Sequence, residues 1–186
     1  MGTFFLGGGD VQGLQQFWAE SLKRRDPRLI KHPMAATRNW MSLAIPLAVH
    51  GDAIPIIAIG RPNTQSLDVT SMQGILSRGI VAEVKHLLYS CFERCKTEVS
   101  ESVAGRKMKR SFEALGSDFH PTHDDLGNEY QPGSAEHALA FDENGERRPL
   151  AEGFFGVIYV VTGYLDLYAK WGLPDYRTNA PRNYCP

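Results

Sequence analysis

Two aspartates, Asp52 and Asp166, have the sequence surroundings of metal-binding carboxylates. Asp52 ends the polar triplet His50-Gly51-Asp52, which lies between the apolar runs 43–49 and 54–59. A carboxylate within the most apolar segment of a chain is unfavourable unless a donor, a positive charge or a metal ion pairs with it. Asp166 follows a second apolar segment, GFFGVIYVV at 153–161, by a few residues. Each aspartate therefore stands at or just beyond the end of an apolar segment, with a glycine nearby.

The chemistry open to these two acids depends on whether their apolar segments are neighbouring strands of one sheet. If they are neighbours, the carboxylates converge and repel, and a bridging divalent cation removes the repulsion. A pair of Mg²⁺ ions held in this way activates a water or a 3′-hydroxyl for phosphodiester chemistry. The alternative for Asp52 is a tight turn between two strands, with its carboxylate hydrogen-bonded to the turn amides. The matching surroundings of Asp166 favour the metal site over the turn.

Apolar periodicity predicts the elements that position these acids. Strands are expected at 43–49, 54–59 and 66–72, where they form a three-stranded antiparallel meander, and a further strand is expected at 153–161. Asp10 is expected to cap a helix at 11–25. Further helices are expected at 80–96, 98–115 and from 165 to 172, although a strand at the start of 80–96 stays open. The polar stretch at about 116–153 has no periodicity and is typical of a long insertion.

Length and charge allow one domain with local basic surfaces. The 186 residues include 20 Lys+Arg and 21 Asp+Glu, a formal net charge of −1, so no overall field attracts nucleic acid or a membrane. The chain divides into an N-terminal helix with a basic segment (1–39) and a core (40–186). Solvated helix faces are the commoner explanation of the clustered cations, and a nucleic-acid surface is the alternative. The candidate nucleic-acid residues are Lys23, Arg24, Arg25, Arg106, Lys107, Lys109 and Arg110.

Two further groups of residues have ligand chemistry. Cys91 and Cys95 are four residues apart, one turn of the predicted helix, and without further ligands nearby they are expected to be core thiols. In the polar insertion, His120, His123 and the pair Asp124-Asp125 are expected to be solvated, with a small-metal hydrolase site as the alternative. Three cysteines, an odd number, argue against a disulfide framework and favour an intracellular protein. Pro46, Asp52 and Pro55 interrupt the apolar run 43–59, which does not fit a membrane span.

HGDAIPIIAIGR at 50–61 and the sequence from Gly153 to Pro186 resemble the catalytic core of DDE-type DNA transposases. The nearest groups are the CACTA (En/Spm-like) and Kyakuja-Dileera-Zisupton superfamilies and the proteins derived from them. In that pattern the first catalytic Asp ends an apolar strand in a Gly-Asp-Gly-like setting, which Gly51-Asp52 matches. The second precedes an aromatic segment and a Cys-Pro-x-Cys motif, which Asp166 and Cys185-Pro186 match. HPM at 32–34 and HPTHDDLGNEY at 120–130 also resemble such proteins.

The resemblance implies a partial ribonuclease-H-like fold of the α/β class, because a meander, a helix and a further strand with a second Asp is the order of that fold. It implies that Asp52 and Asp166 are catalytic ligands of Mg²⁺ or Mn²⁺ and that the partner is transposon-end DNA. It also implies nuclear localisation if the protein is eukaryotic, and it leaves the oligomeric state open. Three departures follow from the sequence. Ala53 replaces a common glycine, and the second cysteine and the third catalytic acid would lie beyond Pro186. The expectation is an incomplete catalytic core, with a non-catalytic DNA-binding or assembly remnant as the alternative.

Overall fold

A computed structural model describes residues 10–26, 29, 32–56 and 65–163. Asp166, the predicted helix at 165–172, Cys185-Pro186 and the second half of the predicted strand 54–59 lie outside these residues. The helices are α1 (Val11–Lys23), α2 (Trp40–Leu43), α3 (Val81–Val84), α4 (Glu98–Ser117) and α5 (Ala135–Ala140), with 3₁₀ turns at Pro33–Ala36 and Glu93–Cys95. The strands are β1 (Ala44–Pro55), β2 (Ser66–Gly74), β3 (His86–Phe92) and β4 (Phe155–Gly163).

The four strands form one mixed, open sheet in the order β3-β2-β1-β4. β1 pairs antiparallel with β2, and β2 pairs antiparallel with β3, so these three strands form a meander. β4 returns after α4 and the polar insertion and pairs parallel with β1. The α/β class and the further strand are therefore confirmed, and an antiparallel meander is present, although two of its three strands differ from the predicted ones.

The strands that build the meander differ from the predicted ones in two places. The triplet His50-Gly51-Asp52 does not separate two strands. It lies inside β1, which is one continuous strand of twelve residues. Pairing on both sides explains this continuity: Gly51 lies opposite Thr70 of β2 and Gly163 of β4. The prediction of separate strands at 43–49 and 54–59 was therefore wrong.

The third strand of the meander lies inside the segment 80–96, for which a helix was predicted. Only α3, four residues long, is α-helical there; HLLYSCF at 86–92 pairs with β2 as β3, and a 3₁₀ turn follows at Glu93–Cys95. The apolar residues of this segment fit a helical period, but the hydrogen bonds offered by the edge of β2 override that local preference. The alternative of a strand at the start of this segment was also wrong, because Val81–Val84 form α3 and the strand begins only at His86.

Capping residues fix the two long helices where the sequence predicts them. The Asp10 Oδ1 atom accepts a hydrogen bond from Gly13 N at 2.7 Å, which confirms Asp10 as the N-cap of α1. Thr97 and Ser100 form a reciprocal capping box at the start of α4. At the other end of α4, Asp118 adopts a left-handed conformation with a φ of 59°, which lets the chain turn away from the helix.

Apolar clusters cover the two sides of the sheet. On one side, Leu14 and Trp18 of α1 pack with Ala44 of β1 and Val157 of β4. The Trp18 indole Nε1–H donates to the Ala44 carbonyl at 2.7 Å, which ties α1 to the first residue of β1. On the other side, a second cluster contains Ile45, Leu47 and Met72, with Phe112 and Leu115 of α4 packed against it. The buried first half of β1 is therefore held between α1 and α4.

The polar insertion is ordered by two aspartate turns of the same design. Asp124 Oδ1 accepts from the amides of Leu126 and Asn128, and Asp142 Oδ1 accepts from the amides of Asn144 and Glu146. A glycine with positive φ lies three residues after each aspartate, at 127 and 145. The insertion is closed at its base, because Asp118 accepts from Ala151 N at 2.7 Å and Gly153 N at 2.6 Å.

Candidate metal site and its surroundings

The parallel pairing of β1 and β4 brings the two predicted acid-bearing segments side by side. The register places His50 opposite Thr162 and Gly51 opposite Gly163. The carboxyl ends of parallel strands meet at the same edge of a sheet, so Asp52 and Gly163, the last residue of β4, lie at the same edge. Asp166 follows Gly163 by three residues and lies outside the described residues. The structure therefore places one of the two predicted acids and the strand that leads to the other.

Asp52 lies within β1, opposite Val69 of β2, and its side chain is exposed. The tight-turn alternative for Asp52 is wrong, because the strand continues to Pro55. Its Oδ1 atom accepts from the Ala53 amide at 2.9 Å, and it forms no ion pair with a described residue. The desolvation expected from the apolar sequence does not arise, because residues 52–55 at the end of β1 are exposed or half-buried. An exposed carboxylate that no described cation pairs with fits a hard divalent cation.

His50 lies on the same face of β1 as Asp52, because residues two apart on a strand share a face. Its Nδ1 atom is 3.0 Å from the Thr162 Oγ1 atom on β4, within hydrogen-bonding distance. From the other side, the Ser71 hydroxyl of β2 donates to the His50 carbonyl at 3.5 Å. The contact between His50 and Thr162 was not predicted. The two residues are 112 positions apart, and only the β1–β4 register brings them together.

The ligand-type residues of the insertion do not gather into a metal site. Among the described residues, no group of three or more His, Cys, Asp or Glu is placed to hold a metal ion. Two hydrogen bonds from Asn128 lower the pKa of Asp124 below its ordinary value. The bond from the Asn128 side chain has the larger effect, and the bond from its backbone amide has the smaller one. The His123 Nδ1 atom lies 2.7 Å from Thr122 Oγ1, and the His120 amide donates to the Arg148 carbonyl. These residues therefore organise the insertion itself.

The two cysteines of 80–96 are not a pair on one helix. Cys91 lies on β3 and is half-buried, whereas Cys95 lies in the 3₁₀ turn after it and is exposed. Both are free thiols. The expectation that both are core thiols was therefore wrong for Cys95, because the chain leaves the sheet before reaching it.

The candidate nucleic-acid residues of α4 face the insertion, which supplies partners to each of them except Lys109. The Asp125 carboxylate lies 3.5 Å from Arg106 Nε and 4.0 Å from Lys107 Nζ. Arg110 donates to the Tyr130 hydroxyl, and its guanidinium lies 5.5 Å from the centre of the Tyr130 ring. Lys109 pairs instead with Glu113 of its own helix at 3.8 Å. A cavity of about 600 Å³ separates α4 from this loop.

The candidate residues at the end of α1 lie on a separate element. Lys23 Nζ pairs with Glu20 Oε1 at 2.6 Å. The hydrogen bond and the positive charge of Lys23 lower the pKa of the Glu20 carboxyl. Arg24 is the C-cap of α1, and Arg25 follows it with a positive φ of 53°. All three are exposed. The assignment of these residues and those of α4 to nucleic acid stays a prediction.

Comparison of the chain with models of protein families, with curated proteins and with solved structures gives no match. Within the described part of the chain, no helix has the length and apolar character needed to cross a membrane.

Proposed function

We propose that the chain is a transposase-derived domain whose parent chemistry is metal-dependent cleavage and transfer of DNA strands. Asp52 and Asp166 are the proposed ligands of Mg²⁺ or Mn²⁺. The observation that carries the proposal is the parallel pairing of β1 with β4 in the register Gly51 to Gly163. This pairing meets the condition under which the two acids converge, because it joins the strand that holds Asp52 to the strand that leads to Asp166.

The order of elements supports a ribonuclease-H-like fold for this domain. The meander β1–β2–β3 is followed by the twenty-residue helix α4, and then by a strand that returns beside β1. This is the meander, helix and further strand that the resemblance implies. α4 packs against the face of the sheet that bears Ile45 and Leu47, so it fixes β1 without covering Asp52.

The chemistry of Asp52 suits the proposed metal. Its carboxylate is a hard oxygen ligand, it is accessible, and no described cation competes for it. When bound, a divalent ion supplies an activated water or 3′-hydroxyl and stabilises the leaving oxygen in phosphodiester chemistry. The contribution of β1 is to hold the Asp52 carboxylate at the edge of the sheet, beside the strand that leads to Asp166, before the ion arrives, which limits the reorganisation that binding requires.

Metal binding by the Asp52→Asn variant tests the proposal. Asparagine keeps the size of the side chain and removes its charge, so the fold should remain intact by circular dichroism. Loss of a direct ligand should weaken Mn²⁺ binding, followed by electron paramagnetic resonance or calorimetry, by at least about tenfold. Asp166→Asn should have an equal effect, and Glu143→Gln, which removes a carboxylate from an exposed insertion turn, should have none. Mn²⁺ affinity that stays unchanged in both aspartate variants would refute the proposed site.

A DNA-binding remnant without catalysis is the second candidate, and the exposure of two lysines on α4 favours it. The side chains of Lys107 and Lys109 are 63% and 76% exposed, so both reach solvent despite their acidic neighbours. This candidate predicts salt-dependent binding of DNA that Asp52→Asn leaves unchanged and the double variant Lys107→Gln/Lys109→Gln reduces. The absence of DNA binding at low salt would eliminate it.

A further inference from the structure

A small polar pocket lies on the Asp52 face of the sheet, between the strands β1, β2 and β4. Its volume is about 140 Å³, and its polar lining consists of His50, Ser71, Gln73, Lys85 and Thr162. His50, Ser71 and Thr162 come from three adjacent strands in direct register. Lys85, the single residue between α3 and β3, also lines the pocket. The pocket is therefore assembled by the sheet from residues that are far apart in the sequence.

The lining of this pocket is chemically suited to an anion. A carboxamide, an imidazole and an ammonium have N–H groups that can donate hydrogen bonds. The hydroxyls of Ser71 and Thr162 each lie 3.5 Å from a β1 carbonyl, at the limit of a hydrogen bond, and can rotate to donate to an anion instead. No described carboxylate lines the pocket. Lys85 is exposed and forms no ion pair with a described residue. The Nδ1 contact to Thr162 holds the His50 ring against β4. One positive charge and several donor groups thus line a space that no described carboxylate lines.

The size of the pocket restricts the anion that it can take. A volume of about 140 Å³ is well below the roughly 300–1,000 Å³ of sites that enclose a whole small molecule. It accommodates one compact group, while the rest of the ligand remains outside. A tetrahedral phosphate has the charge and the acceptor oxygens that match this set of donors.

The pocket is also adjacent to Asp52. His50 and Asp52 are two residues apart on the same face of β1, which corresponds to about 6.7 Å along a strand. We infer that His50, Thr162 and Lys85 form a phosphate pocket that holds one phosphate group next to the carboxylate of Asp52. The identification of this group as a backbone phosphate of a DNA strand that runs past Asp52 rests on the proposed function. The positive pocket would then fix the strand beside the acid, which by itself repels it.

Titration with inorganic phosphate tests the pocket without metal or DNA. In ¹H–¹⁵N spectra recorded in EDTA at constant pH, phosphate at millimolar concentrations should shift the amide signals of His50, Ser71 and Thr162, and sodium chloride at equal ionic strength should not. Lys85→Gln should reduce these shifts several-fold, and Thr162→Val, which keeps the branched shape and removes the hydroxyl, should also reduce them. Arg38→Gln is the matched control, because it removes one exposed positive charge near the opposite end of β1. Phosphate shifts that are absent from the pocket, or unchanged in Lys85→Gln, would overturn the inference.

Binding of a fluorescent single-stranded oligonucleotide, also in EDTA, separates the two sources of phosphate. If the pocket holds a backbone phosphate, Lys85→Gln weakens binding and reduces the slope of log K against log salt by about 0.7. Asp52→Asn should not weaken binding in EDTA, because its carboxylate repels DNA when no metal is present. Phosphate shifts in the pocket with unchanged oligonucleotide binding would identify a free phosphate or a small phosphorylated molecule as the ligand. Loss of Mn²⁺ binding in Asp52→Asn together with no phosphate shifts would leave the metal site standing and refute the pocket alone.

Discussion

Replacing Gly156 with alanine tests the close packing that holds β4 beside β1. Gly156 lies opposite Ile45 of β1, on the face of the sheet covered by α4. A Cβ atom at this position would lie 2.7 Å from Leu47 Cδ1 and 3.4 Å from Leu115 Cβ. Leu47 is only 2% exposed, so it cannot move into solvent to make room. The added methyl group therefore has to displace β4, α4 or the Leu47 side chain.

The expected loss of stability follows from two opposing terms. Overpacking a well-packed core costs about 1–3 kcal/mol. Alanine also restricts the unfolded chain more than glycine does, which stabilises the folded state by about 0.4–1 kcal/mol. We therefore expect the free energy of unfolding of Gly156→Ala to fall by about 1–2 kcal/mol. For a domain of this size, each kcal/mol corresponds to roughly 2–4 °C in Tm, so Tm should fall by about 2–8 °C.

Thermal and urea unfolding followed by circular dichroism measure this effect, with Gly105→Ala as the matched control. Gly105 lies inside α4, and a Cβ atom there would meet nothing within 4 Å. Alanine favours a helix interior over glycine by up to about 1 kcal/mol, so this control should stabilise the protein. The same change of residue thus has opposite signs at the two positions. A Gly156→Ala variant as stable as the wild type would refute the packing argument, because β4 would then tolerate a side chain between Leu47 and Leu115.

Two further predictions concern the insertion and β3. Asp125→Asn should release Arg106 and Lys107 from their acidic partner. DNA affinity, measured by fluorescence anisotropy, should therefore rise, and the slope of log K against log salt should steepen by the equivalent of about one or two phosphate contacts. Unchanged or weaker binding would contradict a DNA-binding role for α4. The interaction with Cys91, and after it burial, raise the pKa of Tyr89 to about 12 from its ordinary value of 10.0. The protonated Tyr89 hydroxyl therefore contributes fully to stability below about pH 10, and this contribution is lost as the pH rises through 12. In urea unfolding, the stability of Tyr89→Phe should therefore fall less than that of the wild type between these pH values, and an equal fall in both proteins would show that Tyr89 does not titrate in this range.

Local signals in the sequence were sufficient for the elements that depend on short-range chemistry. Asp10 marks the start of α1, apolar periodicity marks the extent of α4, and both helices lie within two residues of their predicted ends. The apolar segment 153–161 forms β4, displaced by two residues. Caps and apolar periodicity act within a few residues along the chain, so they can be recognised without knowledge of the fold.

The same signals failed where pairing with a distant strand decided the outcome. HLLYSCF fits a helix by its period and becomes β3 because the edge of β2 offers it hydrogen bonds. The aspartate turns of the insertion were recognisable, since Asp124 and Asp142 are each followed three residues later by glycine. That Asp125 would lie against Arg106 was not recognisable, because it depends on how the insertion folds over α4.

The sequence by itself determined that Asp52 and Asp166 share a setting, each next to an apolar segment able to form a strand. It did not determine that these segments are neighbours, that β1 continues through Asp52, or that His50 meets Thr162. Those facts depend on the parallel register of β1 with β4, which is set by the packing of Leu47, Gly156 and α4. Residues more than a hundred positions apart come together only when the buried faces of both strands are satisfied at once. The tertiary structure therefore decided which side chains surround Asp52.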